Sequence, residues 1–276
     1  MTKKKIAVHY DDNQFLYNLG WSKESLHYGF WEKDTKNHTE ALLNPIKFVC
    51  KHLGINKDDV VLDAGCGVGG TSIYIAKNYG AHVHGITLSN AQLKIAKRKA
   101  LKAKVADLTD FSNRDFTKTG FRDGTFTKVC GIESICYADK KIDFLREAFR
   151  LLKNGGKIAV VDCFLKRTDF NEKEKTIYED FLEGWAVPSL SSKGGFHDDL
   201  KKAGFKNVKF YDKFKTIRKC SDDIYVKGII PYPFTWLLSR IGIMPKSMHG
   251  LFIGCINQKK LCDNNMVTYG VFIAEK

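Results

Sequence analysis

The chain has 276 residues, 43% of them apolar, which suits one enlarged α/β domain or a domain carrying a lid. No run approaches the roughly 18–20 apolar residues of a membrane span. The formal charge is +14, but the lysines are scattered along helices, as in Lys94-Ile95-Ala96-Lys97-Arg98-Lys99, and not interleaved with aromatics. That pattern argues against nucleic acid and for a solvated surface or an anionic, membrane-associated small-molecule acceptor.

The start, Met1-Thr2-Lys3-Lys4-Lys5, is basic and leads to His9-Tyr10-Asp11-Asp12 rather than to an apolar signal region, so a cytoplasmic protein is expected. The eight cysteines form no C-x-x-C pair and no run with zinc spacing. They read as free, mostly buried thiols in a reducing compartment, and no metal-ligand residues are singled out.

Residues 1–45 form an aromatic cap, with Tyr10, Phe15, Tyr17, Trp21, Tyr28, Phe30 and Trp31 on short, bent helices. A helix over about Thr39–Leu53 places Leu42, Leu43, Ile46, Val49, Cys50 and Leu53 on one face, with Pro45 near its first turns and Gly54 closing it. Val60–Asp63 is the first strand. It stops at Gly65-Cys66-Gly67-Val68-Gly69-Gly70, and a helix follows from about Thr71 to Asn78. Glycines let the backbone approach a ligand closely, and the helix aims unpaired N–H groups at the turn.

As a bare pattern, Gly65-x-Gly67-x-x-Gly70 also fits a dinucleotide fingerprint. Two features point elsewhere. Asp63 would set a carboxylate against a pyrophosphate, whereas it suits a ligand carrying an ammonium and a sulfonium. The second strand, Val83–Ile86, ends in Thr87-Leu88-Ser89, without the acidic residue that a dinucleotide ribose usually meets. S-adenosylmethionine (SAM) fits both observations better than NAD does.

Ser89 is a plausible N-cap for the helix opening at Asn90-Ala91-Gln92. A weak third strand near Leu108–Ser112 precedes Asn113-Arg114-Asp115-Phe116, and the fourth strand is Thr127–Ile132. Glu133-Ser134-Ile135-Cys136-Tyr137 leaves that strand at its carboxyl end, where an open α/β sheet places its site. Glu133 has three possible uses: to take a proton from an acceptor, to stabilise a cation, or to orient its neighbours. A helix over about Lys140–Leu152, a stop at Asn154-Gly155-Gly156 and a fifth strand, Lys157–Asp162, come next.

Residues 163–195 break the strand–helix alternation, and 221–262 are helical and aromatic; together they read as an acceptor lid. Between them lie a helix, Lys193–Ala203, and a strand, Val208–Lys215. Thr268–Ala274 is the last strand.

The glycine turn resembles that of class I SAM-dependent methyltransferases, and more narrowly the branch with sterol, tocopherol and prenyl-diphosphate C-methyltransferases and cyclopropane fatty acid synthases. The resemblance runs from about Tyr10 to the C-terminus and is specific between roughly Tyr28 and Asp162. It implies a single domain over 1–276. The fold would be a Rossmann-like, doubly wound seven-stranded sheet closed by a C-terminal antiparallel hairpin, with residues 46–162 as the SAM-binding core.

By the same resemblance, His27-Tyr28-Gly29-Phe30-Trp31 is similar to a segment that folds over SAM, making Tyr28 a cofactor contact. Gln92 would bind the ribose hydroxyls, Asp115 the adenine amino group, and Phe116 would pack on the ring. With Asp63, Gly65, Cys66, Gly67, Thr87, Leu88 and Ile132, these complete the expected cofactor site.

Gly131-Ile132-Glu133-Ser134-Ile135-Cys136-Tyr137 resembles the acceptor-side stretch of prenyl-diphosphate and sterol C-methyltransferases, which implies acceptor roles for Glu133 and Tyr137. Related sugar O-methyltransferases carry a His-His pair where this chain has Cys136-Tyr137. Asp162 matches an acidic residue that assists the base in those enzymes.

Carbon methylation of an olefinic or prenyl compound is the expected chemistry, and Phe30, Trp31, Phe164, Trp185 and Trp236 are candidates to stabilise a cation. O- or N-methylation of a small natural product or lipid head group, and a SAM-binding protein without turnover, remain as alternatives.

Overall fold

The computed structural model describes residue 6, residues 8–13 and residues 27–276. Of the expected cap aromatics, Phe15, Tyr17 and Trp21 lie outside the described residues. Residues 8–13 are helical. The first long helix, α1 (His38–Leu53), is capped by Asn37, whose side chain accepts from the Glu40 N–H, and closed by Gly54 in the left-handed region. Pro45 sits inside this helix, not in its first turns. Proline lacks the N–H that would bond the Ala41 carbonyl. The Phe30 N–H takes that carbonyl instead, at 2.9 Å, and ties the cap segment to the helix.

Strand–helix alternation then builds β1 (Val60–Ala64), α2 (Gly70–Tyr79), β2 (His82–Thr87), α3 (Asn90–Lys102), β3 (Thr109–Asn113), β4 (Phe126–Ile132), α4 (Lys141–Leu151) and β5 (Leu152–Leu165). After these come α5 (Glu172–Gly184), α6 (Lys193–Lys202), β6 (Lys206–Asp212), α7 (Phe214–Ile229), α8 (Tyr232–Arg240), α9 (Lys246–Asp263) and β7 (Val267–Glu275).

The seven strands stand in the order β3-β2-β1-β4-β5-β7-β6. β7 runs antiparallel to both β5 and β6, and the remaining pairs are parallel. Side chains alternate across the sheet. Val61 therefore joins the apolar cluster under α1, α2, α3, α5, α7 and α9, while Leu62 and Ala64 join the one under α4 and α6. The order reverses at β1, between β2 and β4, and a crevice opens at the carboxyl ends of the strands there.

Three expectations need correction. The fifth strand spans Leu152–Leu165, because Asn154-Gly155-Gly156 is an irregularity within it: Leu152 still pairs with Phe126, and Gly155 and Gly156 exchange bonds with Lys276. Asp162 and Cys163 are thus strand residues, and the break in alternation begins after Leu165. The sixth strand ends at Asp212, whose carboxylate accepts from the Phe214 N–H and starts α7 there. Finally, β6 and β7 pair antiparallel but are not a hairpin, since α7, α8 and α9 lie between them.

Candidate active site

The turn after β1 forms as its glycines require. Gly65 has φ +85°, and a Cβ on it would overlap the Ser134 side chain. Ser134 is itself held by a bond from its hydroxyl to the Ala64 carbonyl. Gly67 has φ +53°, and a Cβ there would point into open space, 4.0 Å from Gln92 Nε2. That open space belongs to a cavity of about 190 Å³ at the strand ends.

Its walls include Asp63, Gly65, Cys66 and Gly67 from the β1 turn, and Thr87, Leu88 and Gln92 from the β2–α3 junction. Asp115, Phe116, Ile132 and Glu133 complete the ring. Ser89 caps α3 by accepting from the Gln92 N–H, and the Gln92 carbonyl oxygen accepts from the Thr87 hydroxyl, so the amide nitrogen is left toward the cavity.

A second, larger cavity of about 540 Å³ lies against the first. Tyr10, His27, Glu133 and Tyr137 line both. The second cavity is otherwise largely apolar, walled by Phe181 and Trp185 at α5, Ile224 and Ile230 at α7, and Leu251, Phe252 and Cys255 on α9, with Tyr28, Cys136, Asp162, Cys163 and Tyr269 at its base.

Glu133 sits where the two meet. It is a non-glycine residue at φ +48°, held there by its N–H bond to the Val161 carbonyl at 2.8 Å. Such strain persists where the surroundings over-determine it, and functional sites are common hosts. Its Oε1 accepts from the Tyr28 N–H at 2.6 Å and from the Tyr269 hydroxyl at 2.5 Å. Burial pushes this carboxyl up to about 8, aided by the nearby Asp162 charge and opposed by the two hydrogen bonds.

Burial raises two more carboxyls to about 6. Asp63 is opposed by a bond from the Ser72 hydroxyl at 2.6 Å. Asp162 is opposed by the N–H groups of Cys163 and Cys136, at 3.0 and 2.8 Å. Lys141 is buried behind the 134–138 turn and donates to the carbonyls of Cys136, Ala138 and Ser189, fastening that turn to the loop after α5. A strongly basic protein thus carries an acidic interior site, and a cation entering it would relieve the cost of ionising all three carboxyls.

Some expected residues stand elsewhere. Tyr28 lines the second cavity and not the first, because its hydroxyl is drawn to Gln258 Oε1 at 2.7 Å and its N–H to Glu133. Phe164 lies across the sheet, packed on Phe196, Phe210 and Phe272. Phe30 packs on Phe48 and Tyr269, Trp31 donates to the Cys220 sulfur, and Trp236 is largely exposed. None of these four lines either cavity; of the expected cation-stabilising aromatics, Trp185 does.

Residues not singled out from the sequence also enter. His27 Nδ1 lies 2.9 Å from the Tyr28 carbonyl, which places the ring proton on that nitrogen. Nε2 is then a lone-pair acceptor, buried and without a hydrogen-bond partner among the described residues. Burial lowers this imidazole to about 4, so it is neutral at physiological pH. Tyr269 comes from the β7 register opposite Cys163, and Gln258 from α9. Contacts this distant in sequence leave no local signal.

The model of the family described as mycolic acid cyclopropane synthetase matches residues 1–215. The chain is 32% identical over 197 residues to the sterol 24-C-methyltransferase ERG6 of Saccharomyces cerevisiae, a match spanning 71% of this chain and 50% of that protein. It is 32% identical over 246 residues to the 24-methylenesterol C-methyltransferase 3 of Arabidopsis thaliana, spanning 84% and 66%. It therefore covers about half to two thirds of the length of these relatives. Among solved structures, the [4+2]-cyclase SpnF superposes with a TM-score of 0.81 at 20% identity, covering 100% of this chain and 96% of that one.

Proposed function

The chain belongs to the mycolic acid cyclopropane synthetase family, and we propose that it transfers a methyl group from SAM to a small lipophilic acceptor, by preference to an olefinic or prenyl carbon. The observation that carries this reading is the junction of an acid-lined cavity with a larger apolar one at Glu133. SAM bound in the first cavity would supply a strongly electrophilic methyl group on a cationic sulfur.

The residues fit such a ligand. The space over Gly67 is the cradle a side chain would fill. Asp63 and the 65–67 turn would hold the amino-acid end, Gln92 the ribose, and Asp115 with Phe116 the adenine. Ile132 and Glu133 would border the sulfonium. A dinucleotide would meet buried carboxyls where its diphosphate should lie.

On the other side, the apolar walls exclude water and align the acceptor, which is most of what an in-line displacement asks of an enzyme. Transfer to an alkene forms a carbon–carbon bond, breaks the bond from methyl to sulfur and releases S-adenosylhomocysteine. The cation left on the acceptor then loses a proton to a base, a role ionised Glu133 would fill. Glu133, once ionised, and the faces of Tyr10, Tyr137, Phe181 and Trp185 would stabilise that cation, each ring by roughly 0.5–2 kcal/mol. The helices α5, α7, α8 and α9 act as the acceptor lid in this reading. The similarity to the sterol and methylenesterol C-methyltransferases supports carbon as the preferred atom.

His27 favours a second reading. Its neutral imidazole lines both cavities, and its buried Nε2, without a hydrogen-bond partner among the described residues, would have to turn toward a hydroxyl acceptor to take its proton. Incubation with labelled SAM and olefinic, hydroxyl and amine panels separates the two. Label in olefins alone is the expected result; label in alcohols alone overturns the carbon reading. SAM binding by calorimetry without release of S-adenosylhomocysteine from any fraction would instead mark a protein without turnover, an outcome the shared fold permits.

A further inference from the structure

The helix α8 is built inside out. Its sequence, Tyr232-Pro233-Phe234-Thr235-Trp236-Leu237-Leu238-Ser239-Arg240, is mostly apolar, yet its one buried residue is Thr235. That hydroxyl donates to the Tyr232 carbonyl and lies 3.2 Å from His249 Nδ1, so the polar side chain faces inward. The large apolar ones face out: Phe234 is 73% exposed and Leu237 52%, and the turn beyond adds Ile241 at 58% and Ile243 at 70%. Globular helices pattern the opposite way, and isolated apolar residues on a surface do not cluster on one short element. A contiguous patch of this kind marks an interaction surface.

Two observations choose its occupant. The patch is continuous with the rim of the apolar cavity, since Ile230 and Pro231, immediately before α8, line that cavity. Its own segment carries cations only: between Ile224 and Cys262 the chain has no Asp or Glu, while Lys227, Arg240 and Lys246 flank the apolar residues. Among the described residues, the carboxylate bonded to it near Lys246, that of Asp12, accepts from the Ser247 hydroxyl at the start of α9. Arg240 lies over the Trp236 ring, at 5.2 Å, joining the cationic and apolar parts of the face. No helix among the described residues is long and apolar enough to cross a membrane.

We infer that α8 and the turn after it dock on an anionic lipid bilayer, lying in its interface and turning the mouth of the apolar cavity toward the lipid. Apolar side chains enter the acyl boundary, cations meet the head groups, and a lipophilic acceptor passes into the cavity without crossing water. This deepens the methyl-transfer reading only in taking the second cavity as the acceptor's.

The test is sedimentation of the full chain with phosphatidylcholine vesicles, with and without phosphatidylserine, in the absence of SAM and acceptor. Binding that rises with phosphatidylserine and falls with salt is expected, with a blue-shifted emission component that Trp236→Phe removes. Phe234→Ser/Leu237→Ser/Ile243→Ser lowers the partition coefficient by about tenfold or more, with SAM binding unchanged. Should that variant misfold, Arg240→Glu/Lys246→Glu weakens binding to the anionic vesicles alone.

Equal sedimentation of wild type and variants overturns the inference. So does a dimer in light scattering that the serine variant converts to monomer while vesicles bind neither; the face would then join two copies of this chain. Because docking is read without catalysis, failed methyl transfer leaves it standing. Failed docking leaves transfer to detergent-dispersed acceptors intact.

Discussion

Glu133 accepts two hydrogen bonds and still holds its proton to about pH 8, against about 4.5 for an ordinary glutamate. Folding therefore takes up a proton between those limits, and the stability contributed by this residue falls as pH rises through the window. Glu133→Gln removes the dependence. Calorimetric melting near pH 9 is expected to show the variant above the wild type by roughly 5 °C, from a gain of a few kcal/mol, with no gain near pH 4. The same variant binds SAM about as the wild type does near pH 6, lacks any gain in affinity toward pH 8, and loses turnover; retained activity would remove Glu133 from the acceptor side.

A sulfonium beside this carboxyl favours its ionised form. The affinity for SAM, relative to that for uncharged S-adenosylhomocysteine, should therefore rise from pH 6 to pH 8, by less than about tenfold per unit. A flat ratio in paired titrations would take the sulfonium away from Glu133. Asp63→Ala and Gly67→Val should each abolish SAM binding, the first by removing a buried counter-charge and the second by filling the cradle. The positions of Asp63, Glu133 and the glycines around the candidate site were legible because an open parallel sheet opens its crevice at the carboxyl ends of its strands. Tyr28 was legible as a site residue, but its cavity was not, since Gln258, 230 positions away, decides where its hydroxyl points.

At the scale of elements, α5 and α9 meet through glycines. A Cβ on Gly184 would stand 2.6 Å from Gly254 Cα, and one on Gly254 would stand 2.9 Å from the Trp185 ring. This contact sets the width of the apolar cavity, whose walls include Phe181 and Trp185 on one side and Leu251 and Phe252 on the other. Gly184→Ala must push the helices apart, at a cost of about 1–3 kcal/mol. SAM affinity should hold, because the first cavity touches neither helix, while KM for the acceptor rises and Tm falls. Unchanged KM would show that the cavity tolerates the shift.

Helices with a clear apolar stripe and strands ending in glycine were readable to within a residue or two. The β6–α7 boundary was not, because the bond from the Phe214 N–H to the Asp212 carboxylate turns the chain into α7 within the strand-like Val208–Lys215 run. Nor was Asn154-Gly155-Gly156, which reads as a stop but is kept in β5 by its bonds to Lys276.

For the whole molecule, the sheet and the lid differ in what holds them. β1, β4 and β7 are buried on both faces. α8 buries one threonine. Regions with few buried apolar contacts open at low free energy, while core strands open only with the whole fold. Hydrogen exchange should then grade from near-complete protection in β1, β4 and β7 to near-intrinsic rates in α8. SAM at about 100 times its Kd should add about 2.7 kcal/mol to global opening, slowing the strands, and leave α8 exchanging as before. Slowing of α8 by SAM alone would mean that cofactor binding closes the lid, and that the two cavities report to each other through more than the residues they share.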